Sequence, residues 1–118
     1  MLVSIIGANG MLSVALTKHF YGCPDTTVAV YGLDAPLGYE CDSFKAVNLV
    51  KEVLDYEELS KSDVIIYASG AGVQAALSTP SLLMYQLNVN APIAITLGLK
   101  KAGFKGTYVS FGSLWRLA

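Results

Sequence analysis

Two glycines three positions apart lie in the stretch SIIGANGMLS, which runs from Ser4 to Ser13. Gly7 follows an apolar run that predicts a buried strand, and Gly10 precedes a run that predicts a helix. The turn between them requires backbone angles that glycine adopts at little cost, and a position without a side chain lets a ligand approach the backbone. Because a helix begins with unpaired N–H groups and a partial positive charge, the spacing predicts a cradle for a pyrophosphate.

The third place in this series is taken by Ser13. The pattern G-x-x-G-x-x-(G/A) is a variant of a dinucleotide fingerprint, in which the third small residue lets the helix pack closely on the strand. A serine is nearly as small, so we interpret Ser13 as a packing residue that need not touch a ligand. The alternative is that the two glycines only make a turn.

A carboxylate ends the second predicted strand, at Asp34 in the segment VYGLD. In a parallel sheet this position lies beside the end of the first strand, where a carboxylate accepts hydrogen bonds from both ribose hydroxyls of an adenosine. It also repels a 2′-phosphate. The sequence therefore predicts NAD as the cofactor and makes NADP the less favoured one. The alternative is that Asp34 only begins a loop.

Apolar runs that predict strands alternate along the chain with patterns that predict helices. Strands are expected at Leu2–Ile6, Val28–Leu33, Phe44–Asn48, Val64–Tyr67 and Gly106–Ser110. Helices are expected at Met11–Phe20, at Tyr56–Ser60 after the N-cap Asp55, and from about Pro80 to Ala102. The last helix has Thr79 as its expected N-cap, and Pro92 either kinks this helix or marks its true start. This alternation predicts a three-layer, Rossmann-type α/β fold with a parallel sheet of about five strands in the order 3-2-1-4-5.

Composition limits the class of protein. The chain has 118 residues, which predicts one domain over residues 1–118, and its net charge of −1 gives no basic patch for a nucleic acid. No apolar run approaches the roughly 18 residues of a membrane span, and no secretory leader is recognisable. Cys23, Cys41 and the single histidine, His19, form neither a disulfide framework nor a zinc pattern. We expect no metal, reduced thiols and a cytoplasmic location.

Several segments are similar to one known family. These are IIGANGMLSVAL, VYGLD, VNLV, DVIIYASG, YQLNVNAP and KKAGFKGTYVSFGSLW. Together they resemble the N-terminal part of the extended short-chain dehydrogenases, the NAD-dependent epimerase/dehydratase family that acts largely on nucleotide sugars. The resemblance covers essentially the whole chain. It implies an incomplete NAD(P)-binding domain without a substrate domain.

The resemblance also implies which residues hold the cofactor. The glycine turn would contact the pyrophosphate, and Asp34 would contact the ribose. The segment after the third strand would contact the adenine, and the small residues after the fourth strand would line the site on the side of the nicotinamide. The alternative for the last group is a loop kept small for packing, and Asn88 could equally be a helix amide bonded to backbone. The implied cofactor-binding residues are Gly7, Asn9, Gly10, Met11, Leu12, Asp34, Asn48, Leu49, Ala68, Ser69, Gly70 and Asn88.

The chain departs from the family at the catalytic residues. Family catalysis uses a Tyr-x-x-x-Lys pair, and no such pair occurs in this sequence. The family has a catalytic serine or threonine at the position where this sequence has Phe111. Ser110 and Ser113 lie close to Phe111, and a shift of the correspondence by one or two residues would place either serine at the catalytic position. The sequence stops after the fifth strand, so we expect that this chain alone is not catalytically competent.

Three functions remain open at this point. The chain is a fragment of an NAD-dependent sugar-nucleotide epimerase or dehydratase, a stand-alone NAD-binding or regulatory module, or an inert remnant. In each case the fifth strand leaves an exposed sheet edge, which predicts a homodimer or larger homo-oligomer. The sequence does not reveal a substrate.

Overall fold

The computed structural model describes residues 1–49, 51–68 and 90–110 of the chain. Five parallel strands form one sheet in the order β3-β2-β1-β4-β5, which confirms the expected fold class and strand order. The elements, in chain order, are β1 (Leu2–Ile6), α1 (Met11–Tyr21), β2 (Thr27–Gly32), β3 (Ser43–Ala46), α2 (Tyr56–Leu59), β4 (Val64–Tyr67), α3 (Ala91–Lys101) and β5 (Thr107–Ser110).

The three central strands end at the same edge of the sheet. Ile6 of β1 pairs with Tyr31 of β2 on one side and with Tyr67 of β4 on the other. The loops that follow β1, β2 and β4 therefore leave the sheet side by side. Ligands of open parallel sheets bind at this carboxyl edge.

Hydrophobic residues fill both faces of the sheet. On one face Val3 and Ile5 of β1, Val28 and Val30 of β2 and Ile66 of β4 belong to a buried cluster that packs with Leu16 and Phe20 of α1. On the other face Ile65 and Tyr67 belong to a buried cluster that includes Ile95 of α3. Burial on both faces explains why these strands are continuous apolar runs.

β1 and β4 have their expected bounds, and the other strands, α1 and α2 differ from theirs by one or two residues. β3 ends at Ala46 rather than Asn48, because the backbone carbonyl of Asn48 already accepts hydrogen bonds in a turn from the amides of Lys51 and Glu52. The described part of the long helix begins at Ala91, with Pro92 in its first turn, where a missing N–H leaves no bond unmade. The expected cap at Thr79 and Pro80 lies outside the described residues.

Asp55 is the N-cap of the short helix α2, as the sequence predicts. The Asp55 side chain accepts a hydrogen bond of 3.2 Å from the backbone N–H of Glu58. A capping aspartate of this kind stabilises a helix start by about 1 kcal/mol. No helix in the described ranges is long and apolar enough to cross a membrane.

Candidate functional site

The turn after β1 depends on Gly7. Its φ of 127° lies in a region that side chains disfavour, and its N–H donates to the Tyr31 carbonyl oxygen at 2.6 Å. Gly10, by contrast, has φ −74°, which any residue adopts. The expectation that both glycines serve backbone geometry is therefore wrong for Gly10, because only the first of them occupies a conformation that requires glycine.

The surroundings of Gly10 leave room for a side chain. A Cβ added there would find its nearest neighbouring atom, the Ser13 Oγ, at 3.8 Å, which is an ordinary contact. Gly10 is exposed and is the N-cap of α1, with no side chain bonded to the cap. Glycine is one of the residues that an N-cap favours, but neither a positive φ nor the packing requires it at this position.

Backbone donors at the start of α1 face outward. The first bond inside the helix runs from the Val14 N–H to the Gly10 carbonyl oxygen at 2.9 Å, so the N–H groups of Met11, Leu12 and Ser13 have no partner within the helix. The first turn contains no acidic residue. The partial positive charge of the helix terminus is therefore not neutralised locally, as an anion site requires.

Ser13 lies buried between α1 and the sheet, as the packing interpretation expects. Its Oγ donates to the carbonyl oxygen of Ala68 at 3.4 Å, and its own carbonyl oxygen accepts a hydrogen bond of 2.7 Å from the Thr17 hydroxyl. A small polar side chain thus ties the helix start to the end of β4.

The sequence analysis missed a third important glycine, Gly32, at the end of β2. A Cβ at this position would lie 2.6 Å from the Ala8 Cβ and 3.1 Å from the Ala8 backbone nitrogen. Real side chains do not tolerate such a distance, so only glycine lets the end of β2 lie against the turn after β1. The signal was the glycine two residues before Asp34 in the segment VYGLD.

A cavity of about 200 Å³ lies at the carboxyl edge of the sheet, between the glycine turn and the end of β2. The Asp34 side chain is exposed and makes no hydrogen bond or ion pair within the described residues. The cavity brings together five of the cofactor-binding residues expected from the sequence, and its lining also includes Ala8, Ser13, Gly32 and Leu33. The five are Gly7, Asn9, Gly10, Asp34 and Ala68.

Asn9 uses its side chain differently from expectation. Its Nδ2 donates to the carbonyl oxygens of Asp34 and Ala35 at 3.3 and 3.0 Å, and its Oδ1 accepts a hydrogen bond of 3.0 Å from the Leu37 N–H. The side chain thus holds the loop after β2 instead of facing the cavity with free donors.

The Tyr39 hydroxyl donates to the carbonyl oxygen of Ala8 and adds a contact between the same loop and the glycine turn. Burial raises the pKa of Tyr39 above its ordinary value. The hydroxyl therefore keeps its proton at neutral pH and remains a donor.

Other selected residues lie elsewhere. Met11 and Leu12 are exposed in the first turn of α1 but do not line the cavity. Leu49 lines a separate cavity of about 270 Å³ between the segment after β3 and α3. The Asn48 N–H donates to the Glu52 carboxylate at 3.0 Å. The adenine contacts of these two residues remain predictions.

Of the two catalytic candidates, the structure describes only Ser110. Ser110 is exposed at the end of β5, where it pairs with Tyr67 of β4. Ser113 lies outside the described residues, as do the cofactor candidates Ser69, Gly70 and Asn88. Within residues 1–49, 51–68 and 90–110, no cluster of three or more histidine, cysteine or acidic side chains could hold a metal.

Neither a protein-family model nor a curated protein matches the chain. Solved structures do. A short-chain dehydrogenase family protein from Francisella tularensis is similar with a TM-score of 0.69 at 17% identity, over 96% of this chain and 51% of that one. The PbgP3 protein from Burkholderia pseudomallei is similar with a TM-score of 0.73 at 22% identity, over 92% of this chain and 34% of that one. The chain shares the Rossmann-type α/β fold of these structures.

A further neighbour with this fold was solved with a cofactor. It is a variant of uronate dehydrogenase from Agrobacterium tumefaciens complexed with NAD, with a TM-score of 0.53 at 16% identity, over 86% of this chain and 36% of that one. The chain spans between about a third and about half of these three proteins. The resemblance expected from the sequence is confirmed at the level of the fold.

Proposed function

We propose that the chain binds NAD as the dinucleotide-binding part of an NAD-dependent short-chain dehydrogenase of the epimerase/dehydratase type, whose substrates are nucleotide sugars. The pyrophosphate lies at the start of α1 and the adenosine ribose lies against Asp34. The observation that carries the proposal is Gly10, at a position where neither a positive φ nor the packing requires a glycine. The epimerase or dehydratase activity rests on the sequence resemblance alone.

The start of α1 suits a pyrophosphate for two reasons. The N–H groups of Met11, Leu12 and Ser13 offer donors that the helix itself does not use. The place that a Cβ of residue 10 would take is open, so a phosphate oxygen can approach the backbone there. A ligand is the simplest reason for a glycine that neither backbone nor packing requires.

The loop after β2 favours NAD over NADP. Residues 33–42 read LDAPLGYECD and contain neither lysine nor arginine. A ribose 2′-hydroxyl can donate to the Asp34 carboxylate, whereas a 2′-phosphate would meet that negative charge without a cation from the same loop. The remaining contacts, at Asn48, Leu49, Ala68, Ser69, Gly70 and Asn88, belong to the proposal on the strength of the resemblance.

We further propose that the chemical step needs residues beyond this chain. NAD, when bound, supplies a nicotinamide ring that accepts or returns a hydride. The proton that accompanies such a transfer is handled in the family by the Tyr-x-x-x-Lys pair, which is absent from this sequence. Here the chain binds and orients the cofactor, and Ser110 and Ser113 are its weak catalytic candidates. The cytoplasmic location is likewise proposed, from the two cysteines of the sequence.

A homo-oligomer through the edge of β5 completes the proposal. β5 pairs with β4, and among the described residues no strand pairs with its other edge. Unpaired N–H and C=O groups of an edge strand invite pairing with another chain. Size-exclusion chromatography with light scattering at micromolar concentration should give a dimer or larger species, and a monomer alone would contradict this part.

Calorimetric titration with NAD tests the binding proposal. Gly10→Ala places a methyl group in the cradle and should weaken NAD binding by about tenfold or more, since the phosphate loses its approach to the backbone. The matched control is Gly22→Ala at the other end of α1, where φ is −84° and an added Cβ meets only ordinary contacts of 3.7 Å. Gly22→Ala should leave binding unchanged. Absence of NAD binding by the unsubstituted chain would overturn the proposal.

A further inference from the structure

The loop between β2 and β3, residues 33–42, lies against the glycine turn through hydrogen bonds made by two side chains. The Asn9 amide bonds the backbone of Asp34, Ala35 and Leu37, at 3.3, 3.0 and 3.0 Å. The Tyr39 hydroxyl bonds the Ala8 carbonyl oxygen. We call these four hydrogen bonds the latch. They connect two segments that are 25 to 31 residues apart in sequence.

The latch explains how an irregular loop presents one carboxylate at a fixed place. The segment from Leu33 to Ala35 is exposed and has no regular secondary structure. Gly38, with φ 77°, reverses the chain so that Tyr39 returns to the turn. Without the latch, nothing described in this loop holds the Asp34 backbone against the residues that precede α1.

The Asn9 amide has no donor left over for a ligand. A primary amide has two N–H donors, and two carbonyl oxygens of the loop lie within hydrogen-bond distance of the Asn9 Nδ2. Its oxygen is an acceptor and would repel a phosphate. The Asn9 side chain is therefore committed to the loop, although it lies between the two glycines of the cradle.

We propose that Asn9 and Tyr39 are positioning residues, which hold Asp34 at the rim of the pyrophosphate cradle so that the chain selects NAD over NADP. This inference rests on the proposed NAD binding. It assigns to Asn9 an indirect role, in place of the direct pyrophosphate contact that the family resemblance implies. It also adds Tyr39, which the sequence analysis did not select.

The test uses the full chain and three probes: NAD, NADP and inorganic pyrophosphate. Alanine can adopt the backbone conformation of Asn9, because Asp25 is the only described non-glycine residue with a positive φ. Asn9→Ala therefore removes the side chain without straining the turn. It should lower the affinity for NAD about fivefold and the affinity for NADP much less, so the NAD preference falls. Pyrophosphate, titrated by amide chemical shifts, should bind within about twofold of the unsubstituted chain, since the cradle is intact.

Tyr39→Phe is the second, more conservative variant, since it removes only the hydroxyl that reaches Ala8. It should reduce the NAD preference in the same direction. In an Asp34→Ala background, Asn9→Ala should change NAD affinity by less than about twofold, because a positioning residue acts through the group that it positions.

Three outcomes would overturn the inference. Equal weakening of pyrophosphate and NAD would mean that Asn9 contacts the phosphate directly. An unchanged NAD preference in both single variants would leave the latch a structural feature only. A further loss in the Asp34→Ala background would mean that Asn9 acts independently of the carboxylate. If the unsubstituted chain binds neither NAD nor pyrophosphate, the proposed function itself has failed, and the inference falls with it.

Discussion

An aspartate and a glycine at each end of the parallel sheet differ in what surrounds them. At the amino end, Asp63 accepts a hydrogen bond of 2.7 Å from the Leu2 N–H, and a Cβ at Gly106 would overlap the Asp63 carbonyl oxygen. At the carboxyl end, the Asp34 side chain has no partner among described residues, and a Cβ at Gly10 would meet nothing closer than 3.8 Å.

The difference separates residues that the fold needs from residues that a ligand explains. Near the amino end, the buried hydroxyls of Ser4 and Ser62 bond to each other at 2.7 Å. At the carboxyl end, the Asp34 carboxylate and the first N–H groups of α1 have no partner among the residues that the structure describes. Unsatisfied groups of this kind at a concave site indicate a binding site, whereas satisfied ones indicate structure.

The largest expected effect is on the stability of two glycine variants. Gly106→Ala forces a methyl group against backbone and should lower the free energy of unfolding by about 1–3 kcal/mol. Gly10→Ala should lower it by less than about 1 kcal/mol, the usual range for an exposed helix N-cap. Urea denaturation measures both. Equal losses would mean that Gly10 is a structural glycine after all, and the comparison would fail.

The next largest effect is the difference in stability between variants of the two aspartates, Asp63 and Asp34. Asp63→Ala removes the acceptor of the Leu2 N–H and should lower the free energy of unfolding by about 1 kcal/mol. Asp34→Ala should change it by less than about 0.5 kcal/mol, since its carboxylate has no partner to lose. Asp34→Ala should instead reduce the preference for NAD over NADP, measured by calorimetry. A stability loss from Asp34→Ala that matches that of Asp63→Ala would contradict the account.

The smallest expected effect on stability concerns Tyr108 of β5, whose polar group belongs to neither of the two sites compared above. Its hydroxyl is buried near those of Thr96 and Ser110 but forms no hydrogen bond of good geometry with the described residues. Tyr108→Phe should therefore stabilise the fold by up to about 1 kcal/mol and leave NAD affinity unchanged. Altered NAD affinity would show that unpaired groups away from the cavity also belong to the site.

The same residue makes a pH prediction. Burial raises the pKa of Tyr108 to about 12 from its ordinary 10.0. Above pH 10 the unfolded chain loses this proton first, so the free energy of unfolding keeps its full value below pH 10 and falls as the pH rises towards 12. Tyr108→Phe should make the fall in melting temperature between pH 10 and pH 12 shallower. An unchanged slope would contradict the burial of the hydroxyl.

Local patterns predicted the parts of the fold that depend on local residues. β1 and β4 were found at their observed bounds because they are apolar runs with turn signals at their ends, and Asp55 was found as a cap from its position before α2. Gly32 and the latch were not found. Their roles depend on Ala8 and on the loop after β2, which the fold brings together from distant parts of the sequence. The glycine before Asp34 is a local sign of a tight place, but it does not show which residue lies against it.

The central claim, that the start of α1 binds the pyrophosphate of NAD, is tested most directly by amide chemical shifts of the isotopically labelled chain during a titration with NAD. The account predicts saturable shifts at Met11, Leu12 and Ser13 together with Asp34, and smaller ones at the amino end of the sheet near Asp63. Shifts that leave the first turn of α1 unchanged up to millimolar NAD, or that concentrate near Asp63, would contradict it.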